Sequence, residues 1–355
     1  MNLINEPMIP QPPLFRDGIV DTRINNVLPL LPPVAIIEKF PTTPAADSLV
    51  LQTRQAIHNA MQGLDDRLVV ITGPCSIHDT KAAMEYAQRL LPLREKYKDQ
   101  LEVIMRVYFE KPRTTGSYDI NNGLRIARKL LVDVNAIGMP AATEFLDMIS
   151  PQYIDELISW AAVGARTTES QIHRELASGM SCPIGFKNAT DGSAKIAVDA
   201  VVAAQHEHTF MTVTKMGHVA IAHTRGNEDC HIILRGGKTP NFQAEAVADA
   251  CSMLGKAKLP ERVMIDFSHS NSLKQFKKQL DVCTDVCNQI ASGSHSIFGI
   301  MIESHLVEGR QDLCDDNSKL NYGQSITDAC VGWEDTEIML KQLNDAVIAR
   351  RNNKA

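Results

Sequence analysis

Two hydrophobic patterns alternate along the chain. Short, nearly continuous apolar runs recur at LVVITG (68–73), EVIMRVYF (102–109), MPAATE (139–144), AAVGAR (161–166), PIGFKN (183–188), HIILRG (231–236), RVMIDFS (262–268) and IFGIMIES (297–304). Most intervening segments place apolar residues at helical spacing, as in KAAMEYAQRLLPLREKY and LKQFKKQLDVCTDVCNQIASG. Apolar runs of this length between turn residues read as strands buried on both faces, the kind found in parallel sheets. Strands alternating with helices imply βαβ units, and eight of them predict an α/β fold closed into a (β/α)8 TIM barrel. A doubly wound open sheet is the alternative.

Two segments depart from the rhythm. HTFMTVTKMGHVAIAHT, between the fifth and sixth strands, predicts an inserted β-hairpin turning at Met216-Gly217. The first forty residues are rich in Pro and Asn and read as an irregular arm outside the core. A helix follows, opened by Thr43-Pro44 and ended at Gly63. The expected division is therefore an N-terminal arm and helix over 1–66 and a catalytic barrel over 67–355.

With 355 residues, the chain can bury a large core without staples. Its 44% hydrophobic and 22% charged content is that of a soluble globular protein. Eight cysteines in so long a chain are no disulfide framework, and no signal peptide or membrane span is expected. A reducing cytoplasm is the expected location. The net charge of −6 argues against nucleic acid and anionic membranes as partners. The one basic run, KQFKK at 274–278, reads as a solvated helix face.

The strand ends change this picture. Cys75 follows the first strand, Arg106 lies in the second, and Lys111 and Arg113 come just after it. Glu144, Arg166, Lys187 and Arg235 end strands three to six, His269 follows the seventh and Glu303 ends the eighth. In a barrel all these ends face one mouth, where active sites form.

The residues fall into two chemical sets. Cys75, His269 and Glu303, with Asp328 of SITDAC as a further candidate, are ligand types for a divalent Mn, Fe, Co or Zn ion. For Cys75 taken alone, a buried thiol or a nucleophile assisted by His78 remain open readings. The second set is cationic: Arg106, Lys111, Arg113, Arg166, Lys187 and Arg235, with Lys238 as a candidate. So many cations in an acidic protein point to multiply charged anionic substrates. The glycines of RGGK (235–238) offer backbone amides to a phosphate. No P-loop or G-x-G-x-x-G follows a strand, so nothing supports nucleotide hydrolysis or nicotinamide chemistry. A metal beside a cationic pocket suits carbon–carbon bond formation between phosphorylated metabolites.

The ordered motifs GPCSIHD, MRVYFEKPRTT, GARTTESQ, GFKNATDGS, HIILRGGK, IDFSHSNS, MIESHLVEG and SITDACVGWE resemble those of the class I 3-deoxy-D-arabino-heptulosonate 7-phosphate synthases. The likeness runs from about Asp21 to the C-terminus. It implies a barrel that condenses phosphoenolpyruvate with erythrose 4-phosphate and water, releasing phosphate, at the entry to the shikimate pathway. It implies metal ligands at Cys75, His269, Glu303 and Asp328. Phosphoenolpyruvate would meet Arg106, Lys111, Arg166, Lys187 and Arg235, with Glu144 nearby. Erythrose 4-phosphate would meet Arg113 and Thr114, with Asp328 near its hydroxyls. Lys111 would protonate the new alkoxide, and His78 would have only a structural role.

The resemblance also implies feedback inhibition by an aromatic amino acid. Asp21, Phe145, Leu176, Met180, Ser181 and Phe210 match the inhibitor region of the phenylalanine-sensitive form, with ordinary packing of Phe145, Met180 and Phe210 as the other reading. A tyrosine-sensitive form and a catalytically silent phosphosugar-binding barrel are the alternatives. A homodimer or homotetramer built through the arm is a further implication. One departure stands out: the family's Gly-Trp-Lys-Gly segment and Asn-Asp-Pro turn are absent, and Thr115 runs straight into GSYDINNG. Either a substrate-covering loop is lost or the sequence as written omits it, and the second is expected.

Overall fold

A computed structural model describes residues 19–109, 119–313 and 319–353. Eight parallel strands close a barrel: β1 (Leu68–Gly73), β2 (Leu101–Arg106), β3 (Ala141–Glu144), β4 (Trp160–Val163), β5 (Ile184–Lys187), β8 (Cys230–Leu234), β9 (Val263–Asp266) and β10 (Ile297–Glu303). The remaining two of β1–β10, β6 (Thr209–Val213) and β7 (Val219–His223), form the antiparallel hairpin inserted between β5 and β8. The barrel closes where β1 pairs with both β2 and β10, in registers such as Leu68↔Leu101 and Val69↔Gly299.

The continuous apolar runs have a simple cause: both faces of each strand are covered. Val69, Ile71, Ile104, Ala162, Ile233, Met264 and Met301 fill the barrel interior. Their neighbours Leu68, Val70, Val103, Ile232 and Ile265 face the surrounding helices. Inside, Trp160 needs Gly185: a Cβ there would lie 2.7 Å from Trp160 Cζ2 and 2.5 Å from Ile233 Cδ1. Trp160 Nε1 donates to His231 Nε2 at 3.1 Å, and burial lowers the His231 pKa to about 4, which keeps the ring neutral.

Helix α2 (Pro44–Gln62) begins with Thr43 Oγ1 accepting from Ala46 N and ends at Gly63, whose φ of 76° is the left-handed region. Its Ile57, Ala60 and Met61 join the interior cluster and close one end of the barrel. The expectation of an arm wholly outside the core needs correcting. Helix α1 (Pro33–Lys39) buries Pro33 and Ile36, because Pro at its first position pre-sets the helical turn and Ile36 reaches the main core. Residues 19–30 of the arm are exposed, as expected. Between β3 and β4 two 3-10 turns, Ser150–Tyr153 and Asp155–Leu157, replace an α-helix.

KQFKK is not a helix face. Lys274 has φ 57°, and Phe276–Lys278 forms one 3-10 turn that leads into the helix Gln279–Ala291. No helix among the described residues is long and apolar enough to cross a membrane.

Candidate active site

The carboxyl ends of the barrel strands surround a cavity of about 470 Å³. Cys75, Arg106, Glu144, Arg166, Lys187, Arg235, His269, Glu303 and Asp328 all line it. Lys238 is exposed and is not among the lining residues. Lys111, Arg113 and Thr114, and the junction after Thr115, lie outside the described residues.

Glu303, at the end of β10, is the centre of one group. Its carboxylate accepts from Arg106 Nη2 at 3.1 Å, both side chains being buried. Its backbone is clamped by Gln279, which accepts from Glu303 N at 2.9 Å and donates to Glu303 O at 3.0 Å. One ligand atom each from Cys75, Glu303 and Asp328 lie within 4.8 Å of one another. His269 Nε2 is 3.9 Å from Glu303 Oε1. Burial, and then the Glu303 charge, push the Cys75 thiol up to about 12. That is the reverse of what an activated nucleophile needs. A soft sulfur and two carboxylates around one point, with the His269 imidazole beside Glu303 but outside that group of three, instead match the donor set of a borderline divalent cation, whose charge would favour the thiolate. The seven described cysteines are free, so Cys75 forms no disulfide.

Arg106 is locked in place. Its Nε donates to Pro74 O at 3.0 Å, its Nη2 to Cys75 O at 3.1 Å, and its guanidinium carbon stands 3.7 Å from the Tyr108 ring centroid. Its buried Nη1 has no hydrogen-bond partner among the described residues, and neither has Arg235 Nε. Orphaned buried donors are costly, and an anion in the cavity would satisfy them. Glu144 packs on Gly164, where a Cβ would lie 2.5 Å from Glu144 Oε1.

The RGGK amides do not serve a phosphate. Gly236 N donates to Asn241 Oδ1 at 2.7 Å and Gly237 N to Thr239 O at 2.9 Å, so both are spent inside the loop. The glycines are needed for packing instead: a Cβ on Gly237 would fall 2.2 Å from Gly192 Cα.

Asp266, at the end of β9, was not among the expected residues. It is fully buried, accepts from Lys187 Nζ at 2.9 Å and from Ser268 N and Oγ at 3.0 and 2.6 Å, and lies 2.9 Å from His269 Nδ1. Burial alone would raise its pKa, but the Lys187 ammonium and His269 hold it well below the usual carboxylate range. The signal was available: Asp266 closes an apolar strand just as Glu303 does. Lys274 and Arg310 also line the cavity and carried no such signal.

The residues matched to an inhibitor differ in burial. Phe145 and Leu176 are buried in the main core and Met180 packs against it. Asp21 and Ser181 are exposed, and Phe210 is half-buried on the hairpin.

A sequence model of the DAHP synthetase I family matches residues 43–341. The chain belongs to the DAHP synthetase I family. A phospho-2-dehydro-3-deoxyheptonate aldolase of Haemophilus influenzae is 63% identical over 345 residues, covering 93% of this chain and 95% of that protein. The Phe-sensitive enzyme of that name from Escherichia coli K12 is 62% identical over 344 residues, covering 93% and 98%. The Trp-sensitive one from the same strain is 51% identical over 343 residues, again covering 93% and 98%. The solved structure of a Francisella tularensis phospho-2-dehydro-3-deoxyheptonate aldolase superposes with a TM-score of 0.89 at 50% identity, covering 92% of this chain and 99% of that one. The DAHP synthetase I barrel and the eight-stranded closure seen here are therefore the same architecture.

Proposed function

We propose that the chain is a 3-deoxy-7-phosphoheptulonate synthase, a transferase that condenses phosphoenolpyruvate with D-erythrose 4-phosphate and water to give DAHP and phosphate. The observation that carries this reading is the convergence of Cys75, His269, Glu303 and Asp328 with Arg106, Arg166, Lys187 and Arg235 on one cavity. In this reading the orphaned Arg106 Nη1 and Arg235 Nε, with Arg166 and Lys187, hold the carboxylate and phosphate of phosphoenolpyruvate. Fixing both charged ends presents the methylene carbon to the aldehyde. A divalent cation held by Cys75, His269, Glu303 and Asp328 would supply Lewis-acid polarisation of the carbonyl. Bond formation leaves carbon two of phosphoenolpyruvate cationic. Water adds there, and phosphate leaves from the resulting tetrahedral centre. Lys111 is the proposed donor of the proton to the new alkoxide, and Arg113 and Thr114 the proposed holders of the sugar phosphate. The surrounding cations oppose the charge that develops without having to move.

We also propose residues 1–66 as the regulatory and oligomer-contact segment. Exposed apolar residues on the arm (Ile24, Val27, Leu28) and on one hairpin face (Met211, Val219, Ile221) support association with further copies of the chain. Phenylalanine is the proposed inhibitor. Titrating phenylalanine, tyrosine and tryptophan against activity decides it, and inhibition by tryptophan alone overturns it.

The synthase reading is tested by following phosphoenolpyruvate loss and phosphate release with erythrose 4-phosphate present. The assay is run with and without a chelator, then with manganese restored. Metal-dependent turnover is expected. No turnover with any divalent metal, in folded protein, overturns the reading.

A further inference from the structure

Asp266 is closed in by its neighbours. Its Oδ1 accepts from Ser268 N and Oγ, and its Oδ2 accepts from Lys187 Nζ and lies 2.9 Å from His269 Nδ1. Three hydrogen bonds and an adjacent imidazole enclose this fully buried carboxylate, so Asp266 acts only through its neighbours. Those neighbours are one candidate metal ligand and one candidate anion holder, brought from β9 and from β5, two strands away in the barrel order.

Proton bookkeeping fixes the histidine. Ser268 Oγ gives its only proton to Asp266 Oδ1 at 2.6 Å, so toward His269 Nδ1, 2.7 Å away, it can only accept. Asp266 Oδ2 is an acceptor too. Both contacts therefore favour a proton on Nδ1, and in the neutral ring that leaves the Nε2 lone pair on the side of Glu303, 3.9 Å away. Lys187 spends one of its three donors on Asp266 and keeps two for the cavity.

We infer that Asp266 is a positioning residue that sets the metal-facing nitrogen of His269 and the ammonium of Lys187 through a single carboxylate oxygen. This rests on the proposed reading of the site as a metal and phosphoenolpyruvate centre. It adds a physical link between the two: the same buried group aims the ligand and the anion holder, so one substitution loosens both.

The test uses the whole chain stripped with a chelator and reads binding, not turnover. Free Mn²⁺ is followed by its paramagnetic resonance signal, and phosphoenolpyruvate by titration calorimetry without metal. Asp266→Asn is expected to weaken Mn²⁺ binding about 10- to 100-fold, the usual effect of losing a carboxylate behind a ligating histidine. It is expected to weaken phosphoenolpyruvate about 2- to 10-fold, from one long side chain left unfixed. The decisive comparison is in His269→Ala: there Asp266→Asn adds no further loss of Mn²⁺ affinity but still weakens phosphoenolpyruvate. General loosening of the barrel would instead lower Mn²⁺ affinity in both backgrounds. Ser268→Ala, which removes one donor to Oδ1, is the milder variant that decides the matter if Asp266→Asn does not fold. It is expected to weaken Mn²⁺ several-fold in the wild-type background and not at all in His269→Ala. Unchanged Mn²⁺ affinity, or equal losses with and without His269, overturns the inference while leaving the site reading intact. A wild-type chain that binds neither Mn²⁺ nor phosphoenolpyruvate overturns both.

Discussion

Arg106 and Glu303 join the two halves of the site, and their pairing can be tested as stability and as binding separately. Arg106→Met keeps a long side chain against the Tyr108 ring, where sulfur packs well. It removes the cation 3.1 Å from Glu303, whose side chain is only 3% exposed. Breaking a buried pair from one side costs about 3–5 kcal/mol, because the remaining buried charge loses its counter-charge. The carbonyls of Pro74 and Cys75 also lose a donor. That loss recurs in the double variant Arg106→Met with Glu303→Leu, so it cancels when the two are compared. The double variant carries no orphaned charge and should be more stable than the single one by about 3 kcal/mol. Denaturant unfolding at neutral pH measures the difference.

Binding should not follow stability. Both variants lack the buried Nη1, and a hydrogen bond to a charged group is worth about 1.5–3 kcal/mol. Phosphoenolpyruvate should bind roughly 10- to 150-fold more weakly to both, measured by calorimetry with chelator present. A double variant no more stable than Arg106→Met would refute the claim that Glu303 depends on that cation. Recovery of phosphoenolpyruvate affinity in the double variant would refute the role given to Nη1.

Other consequences are simpler to check. His231 has its folded pKa lowered by burial to about 4 from an ordinary 6.5, so the unfolded chain takes up the proton first as pH falls. Stability from this group is present above pH 6.5 and declines by about 3 kcal/mol towards pH 4; melting curves should show it, and His231→Gln should flatten the decline. Gly185→Ala should cost about 1–3 kcal/mol by overpacking against Ile233 and Trp160, and Ile233→Val in the same chain should recover part of it. Mn²⁺ added to chelator-stripped protein should raise the melting temperature, by about 2.7 kcal/mol of stability at a hundred times its Kd. A rise that persists in Cys75→Ala, Glu303→Gln and His269→Ala alike would place the ion elsewhere.

Strand identity and strand ends were readable because each is local. A strand covered on both faces cannot alternate polar and apolar residues, so Val69, Val70 and Ile71 stand together. A charge that ends such a run, like Lys187 or Glu303, has no reason to be there unless the mouth uses it. The burial of Ile36 was hidden, since about two turns of helix among prolines are too short for a periodicity to detect. KQFKK was misread because Leu273 before it and its first residue, Lys274, take left-handed backbone, which no hydrophobic pattern signals. The RGGK amides looked available only because their acceptors, Asn241 and Thr239, lie beyond the motif.

Asp266 differs from these in kind. The rule that found Glu303 applies to it equally, yet its role depends on what the barrel brings to its two oxygens. Lys187 is 79 residues away and reaches Oδ2 because β5 and β9 flank β8. A strand-end rule identifies which side chains face the mouth. It is silent on how they divide protons among themselves, and that division separates a residue that touches substrate from one that aims another. Ser268 makes the point sharply. As a hydroxyl beside a histidine it resembles a nucleophile and its base, but the 2.6 Å bond to Asp266 takes its proton, and its oxygen is left to accept from the same imidazole that Asp266 holds.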